Sequence, residues 1–173
     1  MKKTAIVFVV AASFMLLTCL FSQDLTCVGS AKCGICHKTE KQGQQLPIWE
    51  NSQHAASFNA LSSEKAKSIA QQSGVANPSG DPKCLKCHAP LAEKAPDIKA
   101  EGVTCEVCHG PGSEYKKLSV MKDRALAVKS GLIVYDSPEA AKKHCLTCHE
   151  NAHGQSFDFT ASWEKIKHNI PEK

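Results

Sequence analysis

The stretch Cys33-Gly34-Ile35-Cys36-His37 decides this chain, because it returns three times as Cys84-Leu85-Lys86-Cys87-His88, Cys105-Glu106-Val107-Cys108-His109 and Cys145-Leu146-Thr147-Cys148-His149. Cys-x-x-Cys-His is the attachment signature of c-type haem, in which both thiols form thioethers with the haem vinyl groups and the next residue ligates the iron. The four copies use eight of the ten cysteines. A disulfide scaffold explains an even cysteine count but not a histidine after every second cysteine. Structural zinc needs four ligands per ion and leaves the recurring histidine idle. The expectation is four covalently bound haem c groups, held by Cys33, Cys36, Cys84, Cys87, Cys105, Cys108, Cys145 and Cys148, with His37, His88, His109 and His149 as proximal ligands.

Outward from the motifs, the N-terminus reads as a secretory signal. Lys2 and Lys3 precede an apolar run from Ala5 to Leu17 that is short for a bilayer span. Residues 1–22 are expected to be removed, with Leu20 at the −3 position and Ser22 last, leaving residues 23–173 as a single tetrahaem domain. Export fits covalent haem and predicts a periplasmic or extracellular location. No second long apolar segment follows, so no membrane span is expected after signal removal. Cys19, after Leu16-Leu17-Thr18, is read as part of the signal core, and Cys27 as a small buried group or an exposed thiol.

The whole chain has 21 basic and 17 acidic side chains; losing Lys2 and Lys3 with the signal leaves a formal charge of +2. Haem propionates add about eight further negative charges, partly offset by ferric iron. The basic balance therefore gives no warrant for nucleic-acid binding.

About 150 mature residues make one domain, or under about 40 per haem. With only ten Phe, Tyr and Trp residues in the chain, the haems themselves must fill most of the interior. The fold expected is mainly α: a compact multihaem cytochrome with short helices and much irregular chain wrapped round four stacked haems. Helices are predicted over 47–61, over 64–73 with Ser63 as cap and Gly74 as stop, and from a Ser113 cap through Met121 to about residue 130. Ser137-Pro138-Glu139 launches another into the fourth motif, and a last one runs from 161 to 168. Residues 77–83 and 89–101, with their prolines, read as loops.

The second axial ligand tunes an electron-transfer haem: methionine raises the potential and histidine leaves it low. Past the signal only Met121 remains, whereas His54, His144, His153 and His168 are spare. Four spare histidines for four haems predict mostly bis-histidine coordination. His54 and His168 each follow a Trp-Glu pair, Trp49-Glu50 and Trp163-Glu164, and are expected on helices beside a macrocycle. His144 directly precedes Cys145 and would have to reach a neighbouring haem. His153 lies in a loop, where ligation and solvent exposure are both open.

Two stretches carry a family resemblance. Gly29-Ser30-Ala31-Lys32-Cys33-Gly34-Ile35-Cys36-His37 followed by Trp49-Glu50-Asn51-Ser52-Gln53-His54-Ala55, and Gly102-Val103-Thr104-Cys105-Glu106-Val107-Cys108-His109-Gly110-Pro111-Gly112, resemble the cytochrome c-554 family. The resemblance implies an α-rich tetrahaem protein with stacked and angled haem pairs, shuttling electrons between exported redox proteins, with His54 and His168 at distal-ligand positions. Relatives commonly carry a histidine soon after Gly-Pro-Gly where this chain has Tyr115. Either His144 or His153 substitutes, or one haem lacks a sixth ligand, and the family pattern points to the haem on His88. An electron carrier, not an enzyme, is the leading expectation. Two alternatives are a small reductase acting on a nitrogen oxide or hydroxylamine at one open haem, with Tyr115 or Lys116 as proton donor, and a subunit that self-assembles into a haem-lined filament.

Overall fold

The computed structural model describes residues 24–168, so the signal-sequence reading over 1–22 and Cys19 lie outside the described residues. Within them the chain is helical and irregular, and no strand is present. Each Cys-x-x-Cys-His motif closes a helix: α1 (Ser30–His37), α5 (Pro82–His88), α6 (Cys105–His109) and α9 (Pro138–His149). Between them come α2 (Gln45–Glu50), α3 (Ser57–Ala60), α4 (Glu64–Gln72), α7 (Leu118–Met121) and α8 (Arg124–Lys129), with α10 (Phe159–Ile166) last. No helix among the described residues is long and apolar enough to cross a membrane.

The motif helices start where their caps dictate. Asp81 accepts from the Lys83 N–H at 2.8 Å, Thr104 from Glu106 at 3.3 Å and Ser137 from Ala140 at 3.1 Å, and Pro82 and Pro138 occupy first-turn positions that need no donor. Helix α1 has no side-chain cap of its own. Its first N–H groups go instead to distant carboxylates: Gly29 to Glu106 at 2.9 Å and Ser30 to Glu101 at 2.8 Å. On every motif helix the i, i+3, i+4 spacing then sets both thiols and the histidine on one side.

Several predicted helices came out differently. The 47–61 helix is split into α2 and α3 by turns at 51–56. The helix drawn from Ser113 to residue 130 is two short helices, because Asp123 caps α8 through Leu126 at 3.0 Å and Ser113 accepts from Thr26 at 3.1 Å. The last helix starts two residues early at Phe159, under an Asp158 cap, and stops at Ile166. The 77–83 loop gives way to α5 at Pro82. Helix α4 matches its prediction, with Ser63 accepting from Ala66 at 3.2 Å.

Protein side chains make a thin core. The buried apolar residues are Leu61, Ala70, Val75, Ala89, Tyr115, Ala127 and Ala141. Four of these are alanines, each contributing little apolar area, so the hydrophobic stabilisation from the polypeptide alone is small for a domain of this length. Short helices around so little side-chain volume need a large apolar group to pack against.

Candidate haem sites

Backbone carbonyls orient two of the motif histidines. His88 Nδ1 lies 2.8 Å from the Ser57 carbonyl oxygen, and His109 Nδ1 lies 3.4 Å from that of Ile133. A carbonyl can only accept, so Nδ1 carries the proton and Nε2 is left bare for a metal. Ser57 is central here: its hydroxyl contacts both the His54 carbonyl at 2.7 Å and the His88 carbonyl at 2.8 Å. It also accepts from the Val103 N–H at 3.1 Å, while the His54 carbonyl accepts from that same N–H at 3.1 Å. One serine thereby joins the second motif, the His54 turn and the approach to the third motif.

Three motif histidines face three spare ones. Ring centroids are 6.2 Å apart for His54 and His149, 6.2 Å for His88 and His153, and 5.8 Å for His109 and His168. With metal–nitrogen bonds of about 2.0 Å and ring nitrogens about 1.1 Å from their ring centres, two imidazoles trans to one metal place their centroids about 6 Å apart. The separations fit an iron between each pair. Among the described residues no three or more His, Cys, Asp or Glu side chains gather to hold a metal ion by themselves, so the donor set suits paired axial ligands and not zinc tetrads.

Burial depresses the pKa of His54, His109, His149 and His168. For His54 the nearby His149 adds to this, and for His168 the nearby His109 does. All four are therefore neutral near neutral pH, the form that binds a metal. Phe157 stacks on His149 at 4.5 Å and 16°.

The spare histidines reach their places by irregular chain. His54 and His168 were expected on helices; each lies beyond one, His54 in the turns after α2 and His168 two residues past α10. Their tryptophans serve the scaffold: Trp49 Nε1 donates to the Val103 carbonyl at 2.8 Å, and Trp163 stacks on Phe159. His153 takes φ 54°, and Asn151 takes φ 53°. A left-handed backbone at two nearby non-glycine residues stores on the order of 1 kcal/mol each, which the surrounding contacts must hold. His144 meets no other imidazole ring; it packs on Tyr135 at 5.5 Å. Of the alternatives left open for His88, the ring contact with His153 favours substitution by that histidine, and the motif histidine with no imidazole facing it among the described residues is His37.

The motifs also approach one another. Cys33 and Cys105 are hydrogen-bonded, which raises the pKa of Cys33 and lowers that of Cys105. Burial, with Cys145 next in effect, pushes the Cys108 thiol up to about 11. Burial and then Cys148 push Cys87 up to about 11. The first motif thus abuts the third, the third abuts the fourth, and the fourth abuts the second. Cys27 is half-buried, and its pKa is raised mainly by burial.

Sequence reasoning missed Glu106. It occupies a variable position of the third motif, yet it is 3% exposed. Its carboxylate accepts from the N–H groups of Val28 at 2.9 Å, Gly29 at 2.9 Å and Gly112 at 2.7 Å. It ties the N-terminal segment and the Gly-Pro-Gly loop to the third motif. Tyr115 in that loop is 4% exposed and donates to the Gly110 carbonyl at 2.7 Å, so its hydroxyl is committed and is not a free proton donor.

Residues 32–110 match the family described as "Cytochrome c554 and c-prime". Cytochrome c-554 of Nitrosomonas europaea is 27% identical to this chain over 167 residues, covering 86% of it and 68% of the relative. Over these residues the chain is similar to the cytochrome c-554 family. Both matches are named as cytochromes c, a class that binds haem c covalently and carries electrons. No solved structure matches. The thin core, the bare Nε2 atoms and the three histidine pairs all fit that cofactor.

Proposed function

We propose that this protein is an exported tetrahaem electron carrier with closely packed, mostly bis-histidine haems. Cys33 and Cys36, Cys84 and Cys87, Cys105 and Cys108, and Cys145 and Cys148 each hold one haem by thioethers. His37, His88, His109 and His149 are the proximal ligands. The distal ligands are His153 on the second iron, His168 on the third and His54 on the fourth. The observation that carries this reading is the set of three motif-to-spare histidine pairs at 5.8–6.2 Å. Haem supplies a one-electron couple, and a second histidine at the iron keeps its potential low. The protein's part is to fix the imidazoles, exclude water from the macrocycles and bring them together.

The contacts between motifs give an electron path in the order first, third, fourth, second. Residues 1–22 direct export and are removed, and residues 23–173 act in the periplasm or outside the cell with redox proteins as donor and acceptor. Haem quantification per chain on the purified holoprotein, with low-temperature spin resonance of its ferric form, tests the assignment. Four haems, at least three of them low-spin with bis-histidine signals, are expected. Two or three haems per chain, or methionine-ligated signals at more than one iron, would refute it.

A further inference from the structure

All eight histidines lie within residues 24–168, so their pairing is a closed set. Three pairs use six of them and leave His37 and His144. No ring contact reaches His37 among the described residues, and its buried Nδ1 has no hydrogen-bond partner. His144 is engaged elsewhere: its ring packs on Tyr135, whose hydroxyl donates to the Cys108 carbonyl at 3.0 Å.

The phenol of the Gly-Pro-Gly loop is committed as well. Tyr115 stands within electrostatic reach of Cys33 and Cys105. Its hydroxyl, however, is held by the Gly110 carbonyl at 2.7 Å, and burial pushes its pKa well above the ordinary phenol value. A buried, protonated, hydrogen-bonded phenol is not the anionic oxygen that caps ferric iron.

From these observations we propose that the iron held by His37 keeps an exchangeable coordination position, at which the protein binds a small diatomic ligand such as carbon monoxide or nitric oxide. This rests on the tetrahaem reading and adds to it the place where the chain departs from full bis-histidine capping. Electrons entering at the second, third or fourth haem meet saturated irons; only at the first can an exogenous molecule reach the metal.

The test counts ligand-binding haems. Holoprotein reduced with dithionite is titrated with carbon monoxide, and the ferric form is examined for high-spin signals. Wild type is expected to bind one equivalent and to show one high-spin haem in four. His54→Ala, His153→Ala and His168→Ala should each raise both counts to two, and His144→Ala should leave them at one. Zero binding in wild type overturns the proposal, as does any of the first three variants staying at one, because that haem would then be the open one. Should an alanine variant fail to mature, methionine at the same position keeps the iron six-coordinate. The count then stays at one while that haem's potential rises; a potential equal to wild type overturns the pairing. Haem content is measured on every sample, so a chain with fewer than four haems fails the tetrahaem reading separately from the ligand count.

Discussion

Replacing Glu106 is the sharpest probe of how the polypeptide holds its motifs together. The carboxylate accepts three backbone N–H groups from two remote segments and is almost fully buried. Glu106→Ala strands all three. A buried donor left without a partner costs about 1–3 kcal/mol, and partial entry of water brings the total to about 3–5 kcal/mol. Glu106→Gln keeps an acceptor toward Val28 and Gly112 but turns an amide donor toward the Gly29 N–H, a loss of about 1–3 kcal/mol. Guanidinium unfolding of the oxidised holoprotein, followed by Soret circular dichroism, reads this out. At a slope of about 4 kcal/mol per molar, the alanine variant should unfold about 1 M earlier and the glutamine variant at roughly half that shift. Haem content should be unchanged in both. An alanine variant within about 0.2 M of wild type refutes the idea that this carboxylate fastens the N-terminal segment and the Gly-Pro-Gly loop to the third motif.

Gly102→Ala should be destabilising by about 2 kcal/mol or more, because at φ +69° the new Cβ would lie 2.7 Å from the His54 carbonyl oxygen and against the Ser57 hydroxyl; since it displaces the His54 turn, a rise in high-spin signal should accompany the loss in thermal midpoint. His54→Met, by exchanging imidazole for thioether, should raise one haem's potential by on the order of 0.1 V, a modest part of the ~0.8 V that axial ligation commands, seen in a spectroelectrochemical titration. Acidification should weaken the fold: the pKa values of His54 and His168 lie below the ordinary value of 6.5, so the unfolded chain takes up protons first. Stability is then full above about pH 6.5 and falls as pH drops below it; an unfolding midpoint at pH 5 equal to that at pH 7.5 would contradict this. Ser137→Ala should remove the cap of α9 at a cost of about 1 kcal/mol, measured as a lower thermal midpoint with all haems retained.

The four candidate motifs were legible in the chain because thioether haem demands contiguous residues: five in a row would name two attachment atoms and one ligand. The capped helices were legible for the same reason, since Ser63 and Ser137 act on N–H groups three residues away. What the sequence could not show is non-local. Nothing in the residues around His153 says that a left-handed turn brings it beside His88, so its role stayed open between ligation and solvent exposure. The 47–61 segment has helical spacing, but the Ser57 hydroxyl and the Gly102 approach break it around His54. The role of Glu106 was not legible, because its three donors come from residues 28, 29 and 112.

The three histidine pairs have an order along the chain that matters for how the molecule is made. His54 meets His149, His88 meets His153 and His109 meets His168, and each of these spans crosses the other two. None is nested inside another, so no pair lies wholly within the span of a second. In a polypeptide that emerges N-terminus first, none of these pairs can close before residues 149–168 arrive. Long closures carry a large entropic cost when made singly, and shared ends reduce that cost when they form together. The molecule should therefore assemble in one concerted step from its C-terminal end, and a chain cut before α9 would leave His54, His88 and His109 without their partner rings.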